Sequence, residues 1–532
     1  MRDILLGNGS FETLIQGNYL YIDKTKHLYE LIRKAGTYYF LSRPRRFGKS
    51  LTLSTLEAIF KGKRELFKGL YIDGTDYDWK EYSVVRFDFS TCLRSTADGV
   101  ADWINRQAIV IAGQYGIQLD KEDGFDINLD LLISRLGERG KVVVLIDEYD
   151  SILTNNINSD KLEDLRSSLR GFYAILKAQC ANIRFCFITG VTKFSKLSIF
   201  SGMNNFTDIS LDREYATLLG YTQKELEENF SEYIERGISQ RKTTRNEYLE
   251  EVKAWYDGYR FAPNSEAVYN PVSVGFFFTE DSEEFKPYWI DTGGMSFVLT
   301  EIAKRVQFDM SLDTELEVSS SKLNGTDFIQ MVKTNVSKDN FLSLLYQTGY
   351  LTIKGSESVE GNSLITLGYP NKEVKKGLTE ILLPLYLGSY SDSFNGDRIL
   401  KLFSNGKVDE AMSSLYTIYA SIPYNELVFN AENACHASFL CMMNLLGAEI
   451  LAEEPTNIGR IDAVLICRKY IYIIEFKFNQ SAEDAICQIR KNRYWEKYKN
   501  DGREIHLVDI NFSTDKSNIV EWKDEVFDGR VH

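Results

Sequence analysis

The sequence predicts an α/β fold in which a doubly wound parallel sheet fills the first third, helices the middle, and a smaller α/β unit the end. Three observations point there. Short apolar runs rich in β-branched and aromatic residues, TYYFL (37–41), SVVRFDF (83–89), KVVVLI (141–146) and IRFCFIT (183–189), alternate with longer amphipathic stretches. That is the pattern of strands covered on both faces. Between about 215 and 330 the rhythm stops, and after 430 a strand pair returns, RIDAVLICR (460–468) and YIYIIEFKF (470–478), joined by a tight polar turn.

Taken in order, the helix-like stretches of the first third are SLTLSTLEAIF (50–60), VADWINRQAIVIAGQYG (100–116) and KLEDLRSSLRGFYAILKAQC (161–180). Strands that alternate with helices build a parallel sheet whose ligand sits at the carboxyl ends of the strands. The helical middle is interrupted by WYDGYRFAPNSEAVYNP (255–271), rich in Tyr, Gly, Pro and Asn. Residues 339–378 then read as helix, strand, polar turn, strand, helix. That order is similar to a winged helix; a small α/β lid or packing module is the alternative. A helical stretch runs to about 420. The last part reads as helix 431–446, the two strands, helix 482–499 and strand 504–512.

At 532 residues the chain exceeds one core, and roughly 150 residues per domain gives three or four units. No segment reaches the roughly 18 consecutive apolar residues of a membrane helix, and the N-terminus lacks a signal-peptide core. Seven cysteines without a C-x-x-C pair, and only four histidines, argue against a disulfide scaffold or zinc ribbon and for buried, reduced thiols in a cytoplasmic protein. The net charge of −14 speaks against a chain coated for non-specific nucleic-acid binding, yet allows a local basic groove.

The stretch FLSRPRRFGKSLT (40–52) closes as a phosphate loop with Gly48, Lys49 and Ser50, but Arg43 stands where an opening glycine is usual. It follows a strand and opens a helix, the context the motif requires. Backbone N–H groups, the helix N-terminus and Lys49 are what bind phosphate. Pro44 can preset the turn by fixing φ, and Arg43, Arg45 and Arg46 add positive charge near a triphosphate. The candidate nucleotide set is therefore Arg43, Pro44, Arg45, Arg46, Phe47, Gly48, Lys49, Ser50 and Leu51. KVVVLIDEYD (141–150) ends a buried strand in two acids. Asp147 suits a magnesium ion, and Glu148 suits a base for the attacking water. Thr189 and Thr192, at the end of the next strand, can bond the γ-phosphate or the water, or stand as ordinary strand-end hydroxyls.

In the C-terminal pair, Glu475 and Lys477 share one strand face while Phe476 turns to the core. The hairpin can bring Asp462 beside Glu475. Two such carboxylates bind a hard divalent cation, most plausibly magnesium. Lys477 is placed to orient or deprotonate water and to stabilise phosphorane charge. A solvent-facing E-x-K pair is the alternative. The stretch Arg490, Lys491, Arg493, Lys497 and Lys499 carries Tyr494, Trp495 and Tyr498 between its cations. It suits either a nucleic-acid strand or an amphipathic helix with its aromatics in the core.

FLSRPRRFGKSLTLSTL, YIDKT (21–25), LIDEYD, ITGVTKFSK, WYDGYRF and VYNP together resemble the bacterial AAA-ATPase-like proteins that end in a PD-(D/E)XK nuclease-like domain. R-P-R-R-F-G-K-S is the form that group carries. The resemblance spans nearly the whole chain. It implies an additional-strand P-loop ATPase related to the signal-transduction NTPases, with Lys49 and Ser50 on phosphate and magnesium and Asp147 and Glu148 as the acidic pair. Asp462, Glu475 and Lys477 match the nuclease core. Glu432 matches the family's extra metal-binding acid, and Gln488 and Tyr494 match polar residues aimed at its active site. Ile461 stands where proline is usual.

The expected division is an ATPase core at 1–215, a helical extension at 216–330, a winged-helix-like segment at 331–385, a helical linker at 386–420 and an α/β restriction-endonuclease-like domain at 421–532. The expected cofactors are ATP and Mg2+, and the expected partner is nucleic acid; no membrane association is expected, and a homo-oligomer stays open. The rivals are a nucleotide-dependent switch whose nuclease fold is inactive, and a transcriptional regulator using 339–378.

Overall fold

The computed structural model describes residues 2–34, 36–193, 206–280, 284–293, 316–323, 337–359, 362–387, 396–421, 439–440, 442–443, 448–456, 458–479, 482–513 and 518–527. Its described residues divide into two compact units, one of residues up to Val374 and one of residues after it.

The first unit is built on five parallel strands, β1 (Tyr38–Ser42), β2 (Ser83–Asp88), β3 (Val142–Asp147), β4 (Ile183–Gly190) and β5 (Phe206–Asp208), in the order β2-β3-β4-β1-β5. β4 therefore lies between the strand that feeds the phosphate loop and the strand that ends in Asp147. Both faces are covered, as the apolar runs require. On β1 the Tyr38 hydroxyl donates to Leu176 O of the helix Leu162–Ala178 at 3.0 Å. Its neighbour Tyr39 turns the other way, onto Phe185, which packs against Phe60 of the helix Lys49–Phe60. The three-residue β5 is an addition to the strands expected.

Beyond the sheet, the helix Arg245–Tyr256 starts at a capping box made by Thr244 and Glu247. The helix Pro271–Thr279 starts at Asn270, whose side chain accepts from Val272 N and Ser273 N with proline at the first turn. The VYNP stretch is thus a helix start. Residues 338–387 follow the expected order, helix Lys338–Thr348, β7 (Thr352–Val359), β8 (Asn362–Gly368) and helix Lys372–Leu387, with β6 (Leu316–Ser319) added antiparallel to β8.

The second unit carries β9 (Glu449–Pro455), β10 (Arg460–Ile466), β11 (Tyr470–Phe478), β12 (Glu504–Ser513) and β13 (Asn518–Val526), ordered β13-β12-β11-β10-β9. β11 and β12 run parallel and the other pairs antiparallel. The helix Ala482–Lys491 makes the crossover. Ile486 and Ile489 of that helix pack with Ile471, Ile473, Ile505 and Leu507 of the sheet. The expected helix 482–499 stops early. Arg493 takes a left-handed φ of 51°, and a 3-10 turn, Tyr494–Lys497, follows. Tyr494 and Trp495 are buried in this core, so they offer no stacking platform. Three of the five basic residues are matched by acids: Arg490 meets Glu525 at 2.6 Å, Arg493 meets Glu496 at 3.2 Å, and Lys497 meets Glu454.

Of the expected helix 431–446, residues 439–440 and 442–443 are described and are helical. Among the described cysteines, none bridged, Cys92 and Cys186 are buried, Cys467 is partly buried and Cys180 is exposed. No described helix is long and apolar enough to cross a membrane.

Candidate functional site

The phosphate loop leaves the buried tip of β1 and closes on Gly48, whose φ of +95° is a left-handed conformation that glycine adopts without strain. The helix beginning at Lys49 points its first N–H groups at the loop. Lys49 is 5 % exposed, and its Nζ donates to Arg43 O at 3.1 Å and Pro44 O at 3.0 Å. Burial lowers its pKa, while Glu148, Asp147 and Asp150 pull it back up. Its charge is held over the loop by backbone carbonyls, poised for an anion.

Loop residues Arg45 to Ser50, with Leu51, Glu148 and Ser151, line a cavity of about 490 Å³. Leu6, Leu20, Ile22, Leu218, Tyr221 and Val272 add apolar lining. A helix N-terminus with a buried lysine in a cavity that also has apolar lining fits a nucleoside triphosphate. Lys24, of the YIDKT stretch, lies in the same wall and donates to Thr217 O and both Glu225 oxygens at 2.7–2.8 Å.

Arg43 and Pro44 do not line this cavity. Arg43, expected beside a triphosphate, is 2 % exposed and faces the other way. Its guanidinium donates to Ser42 O, Ser210 O and Tyr215 O at 2.8–3.2 Å and stacks 4.1 Å over the Phe261 ring. Phe47 packs edge-on against Tyr259 and Phe261. Pro44 abuts Gly349, where an added Cβ would lie 2.8 Å from it. The Trp289 indole donates to Arg45 O at 3.1 Å. Arg43, Pro44 and Phe47 thus grip WYDGYRF and the segment after 338, while Gly48, Lys49 and Ser50 face the ligand side.

At the tip of β3, Asp147 is buried and its Oδ1 accepts from Thr189 Oγ1 at 2.7 Å and Glu148 N at 3.1 Å. Glu148 takes a left-handed φ of 46°. Such a backbone costs on the order of 1–3 kcal/mol and marks functional positions. Its Oε2 accepts from Ser151 Oγ at 2.9 Å, and Glu148 faces the cavity. Thr192 is committed elsewhere. Its N–H and hydroxyl both donate to Asp150 Oδ2 at 2.7 Å, and Val191 N adds a third bond. Asp150, not singled out in the sequence, ties β3 to β4. Lys193 continues that link, its N–H donating to Gln347 Oε1 at 2.7 Å and its Nζ to Asp208 at 2.9 Å. For a magnesium ion, Asp147 and Ser50 supply hard oxygen donors beside the loop, which fits the ion's preference.

In the second unit, β10 and β11 place Asp462 across from Glu475, one residue beyond the pair Ala463–Ile474. Asp462 Oδ2 accepts from Phe476 N at 2.9 Å. Glu475 is 2 % exposed, and its Oε2 has no hydrogen-bond partner among the described residues. Its other oxygen accepts from Gln488 Nε2. Lys477 Nζ donates to Gln488 Oε1 at 2.8 Å and lies 3.9 Å from Glu475. Burial, then the Asp462 charge, pushes the Glu475 carboxyl up to about 8. A buried carboxylate oxygen left open beside a second carboxylate fits a divalent cation, with Asp462 and Glu475 as its holders.

Asp509 and Asn511 of β12 stand in register beside Glu475 and Lys477; neither was singled out in the sequence. Tyr494 is buried and its hydroxyl accepts from Asn492 at 2.9 Å. Glu432 lies outside the described residues.

Comparison with known proteins agrees with this architecture. Residues 6–200 match a predicted AAA-ATPase family, and residues 430–522 match the PD-(D/E)XK nuclease superfamily. An uncharacterized protein in the vnfD 5′ region of Azotobacter chroococcum mcd 1 is 33 % identical over 535 residues, covering 98 % of each chain. The chain belongs to the family of AAA-ATPase-like proteins with a C-terminal PD-(D/E)XK nuclease domain. A structure of Drosophila ORC bound to DNA is 12 % identical, covers 64 % of this chain and 81 % of its own, and has a TM-score of 0.23, too slight a likeness to argue from.

Proposed function

We propose that the chain binds and hydrolyses ATP at the cavity behind Lys49 and cleaves nucleic-acid phosphodiesters at Asp462, Glu475 and Lys477, the first activity gating the second. The observation that supports the nuclease reading most is the open, buried Glu475 Oε2 beside Asp462, with Lys477 held by Gln488. A magnesium ion bound there would supply Lewis acidity and a more acidic water. Around it, Gln488 bridges Glu475 and Lys477 and fixes both side chains. Lys477 presents an ammonium toward the scissile phosphate and stabilises its developing charge.

In the ATPase unit, Lys49 would leave the loop carbonyls for the phosphates, Ser50 and Asp147 would hold a magnesium ion that offsets the phosphate charge, and Glu148 would accept the proton of the attacking water. Thr189 orients Asp147. The segments expected at 216–330 and 331–385 sense the loop through Arg43, Pro44 and Phe47. Labelled single- and double-stranded DNA and RNA, incubated with the purified chain with and without ATP and magnesium, test the reading. Cleavage of at least one substrate, requiring magnesium and lost in Lys477→Ala, is expected. Cleavage that persists in Lys477→Ala refutes the assignment.

A further inference from the structure

The WYDGYRF stretch has a second side. Where Tyr259 pairs with Val268 in an antiparallel bridge, the backbone is extended and successive side chains alternate. Tyr259 and Phe261 pack on Phe47 of the phosphate loop. Asp257, Gly258 and Arg260 instead line a separate cavity of about 460 Å³, together with Lys253, Lys354, Glu266 and Gln223. Gly258 cannot be replaced there without movement, since an added Cβ would meet Pro370 O at 2.1 Å.

The cavity gathers three cations and two acids, Asp257 and Glu266, without a contact ion pair between them among the described residues. Asp257 is 6 % exposed, and its buried Oδ1 has no hydrogen-bond partner among the described residues. Burial raises its pKa, while Lys253 and Arg260 draw it down. No described acid lies within ion-pair distance of Lys253, Arg260 or Lys354. Arg260 is anchored by its backbone alone, its N–H donating to Thr352 Oγ1 at 2.7 Å and its carbonyl accepting from the same hydroxyl.

A buried acceptor needs a donor, and the Arg260 guanidinium with two lysine ammoniums at the same cavity offers an anion charge-assisted bonds. A bare phosphate would answer the cations and repel Asp257 and Glu266. An amino acid would answer both but fill little of the volume, and its single carboxylate undersupplies three cations.

We propose that this cavity is a second ligand site, for a phosphate-bearing nucleoside, with its phosphate against Arg260, Lys354 and Lys253 and a base amine or sugar hydroxyl donating to Asp257. The ligand is a free mononucleotide or the phosphorylated end of a nucleic-acid strand; both present this chemistry. Because Tyr259 and Phe261 pack on Phe47, which lines the first cavity, occupancy here acts on the phosphate loop through them. Coupling of this kind is reciprocal, so each ligand alters the other's affinity by the same factor.

Calorimetry on the full chain saturated with ADP tests the site, with guanosine 5′-monophosphate and a 5′-phosphorylated trinucleotide as probes and guanosine as the phosphate-free control. A second binding event is expected for at least one phosphorylated probe, and the probe that binds identifies the source. Removing a charge-assisted contact weakens binding by about 10–100-fold. That loss is expected for guanosine, for Lys354→Glu, which alters only an exposed side chain, and for Asp257→Asn. Binding of ADP by these variants without probe is expected to stay as in the parent. No second event with either probe in a chain that binds ADP overturns the proposal, as does an event that both variants leave intact. If ADP itself fails to bind, the nucleotide-cavity assignment falls instead, and the probe titrations with Lys354→Glu still decide this site.

Discussion

At the phosphate loop the lysine and the buried acids have internal partners: Lys49 rests on two loop carbonyls, Asp147 on Thr189 and Glu148 N, Asp150 on Thr192 and Val191. At the end of β11 the opposite holds. Glu475 faces Asp462 with one buried oxygen open, and its carboxyl titrates near 8. The first site's lysine and acids are held by the protein's own groups. The second holds a buried carboxylate oxygen that a cation would satisfy. This contrast suits a switch that cycles through nucleotide states and a hydrolytic centre that keeps its ion.

The largest expected effect falls on turnover. Glu148→Gln keeps the shape of the cavity wall and removes the base, so ATP hydrolysis should slow by about 10²–10⁴ with binding nearly unchanged. Single-turnover kinetics read this; intact turnover would move the base role elsewhere.

Next comes the stability of the metal-free chain. The folded pKa of Glu475 is raised from 4.5 to about 8, so its contribution is fully present below about pH 4.5 and is lost as pH rises through 8. In chelator, stability should fall across that window by a few kcal/mol, on the order of one kcal/mol per pH unit. Glu475→Gln should abolish the slope in urea melts at stepped pH. An unchanged slope would place the titrating group elsewhere.

The smallest effect belongs to the satisfied site. Lys49→Ala should weaken ATP by about 1.5–3 kcal/mol, the value of a charge-assisted bond, measured by calorimetry, while the ligand-free fold stays stable. Unchanged affinity would remove Lys49 from the phosphates.

Much of this contrast was legible in the sequence. The buried runs at β1 to β4 announced the sheet, and the i, i+2 spacing of Glu475 and Lys477 put both on one face. What was hidden depends on residues distant along the chain. Arg43 reads as a phosphate cation until Phe261, Ser210 and Tyr215 are folded around it. Asp150 reads as one more strand-end acid until the turn after β4 presents its N–H groups. β13 is an edge strand whose charged, exposed residues mask its alternation. The left-handed Arg493, which ends the last helix early, has no local signal such as glycine.

Manganese binding followed in buffers of different ionisation enthalpy tests the central contrast most directly. If burial and the Asp462 charge hold the Glu475 carboxyl up to about 8, manganese binding to the nucleotide-free chain at pH 7 should release about one proton. Both the binding and the release should vanish in Asp462→Ala. Tight binding without proton release, or binding that survives in Asp462→Ala, would contradict the account.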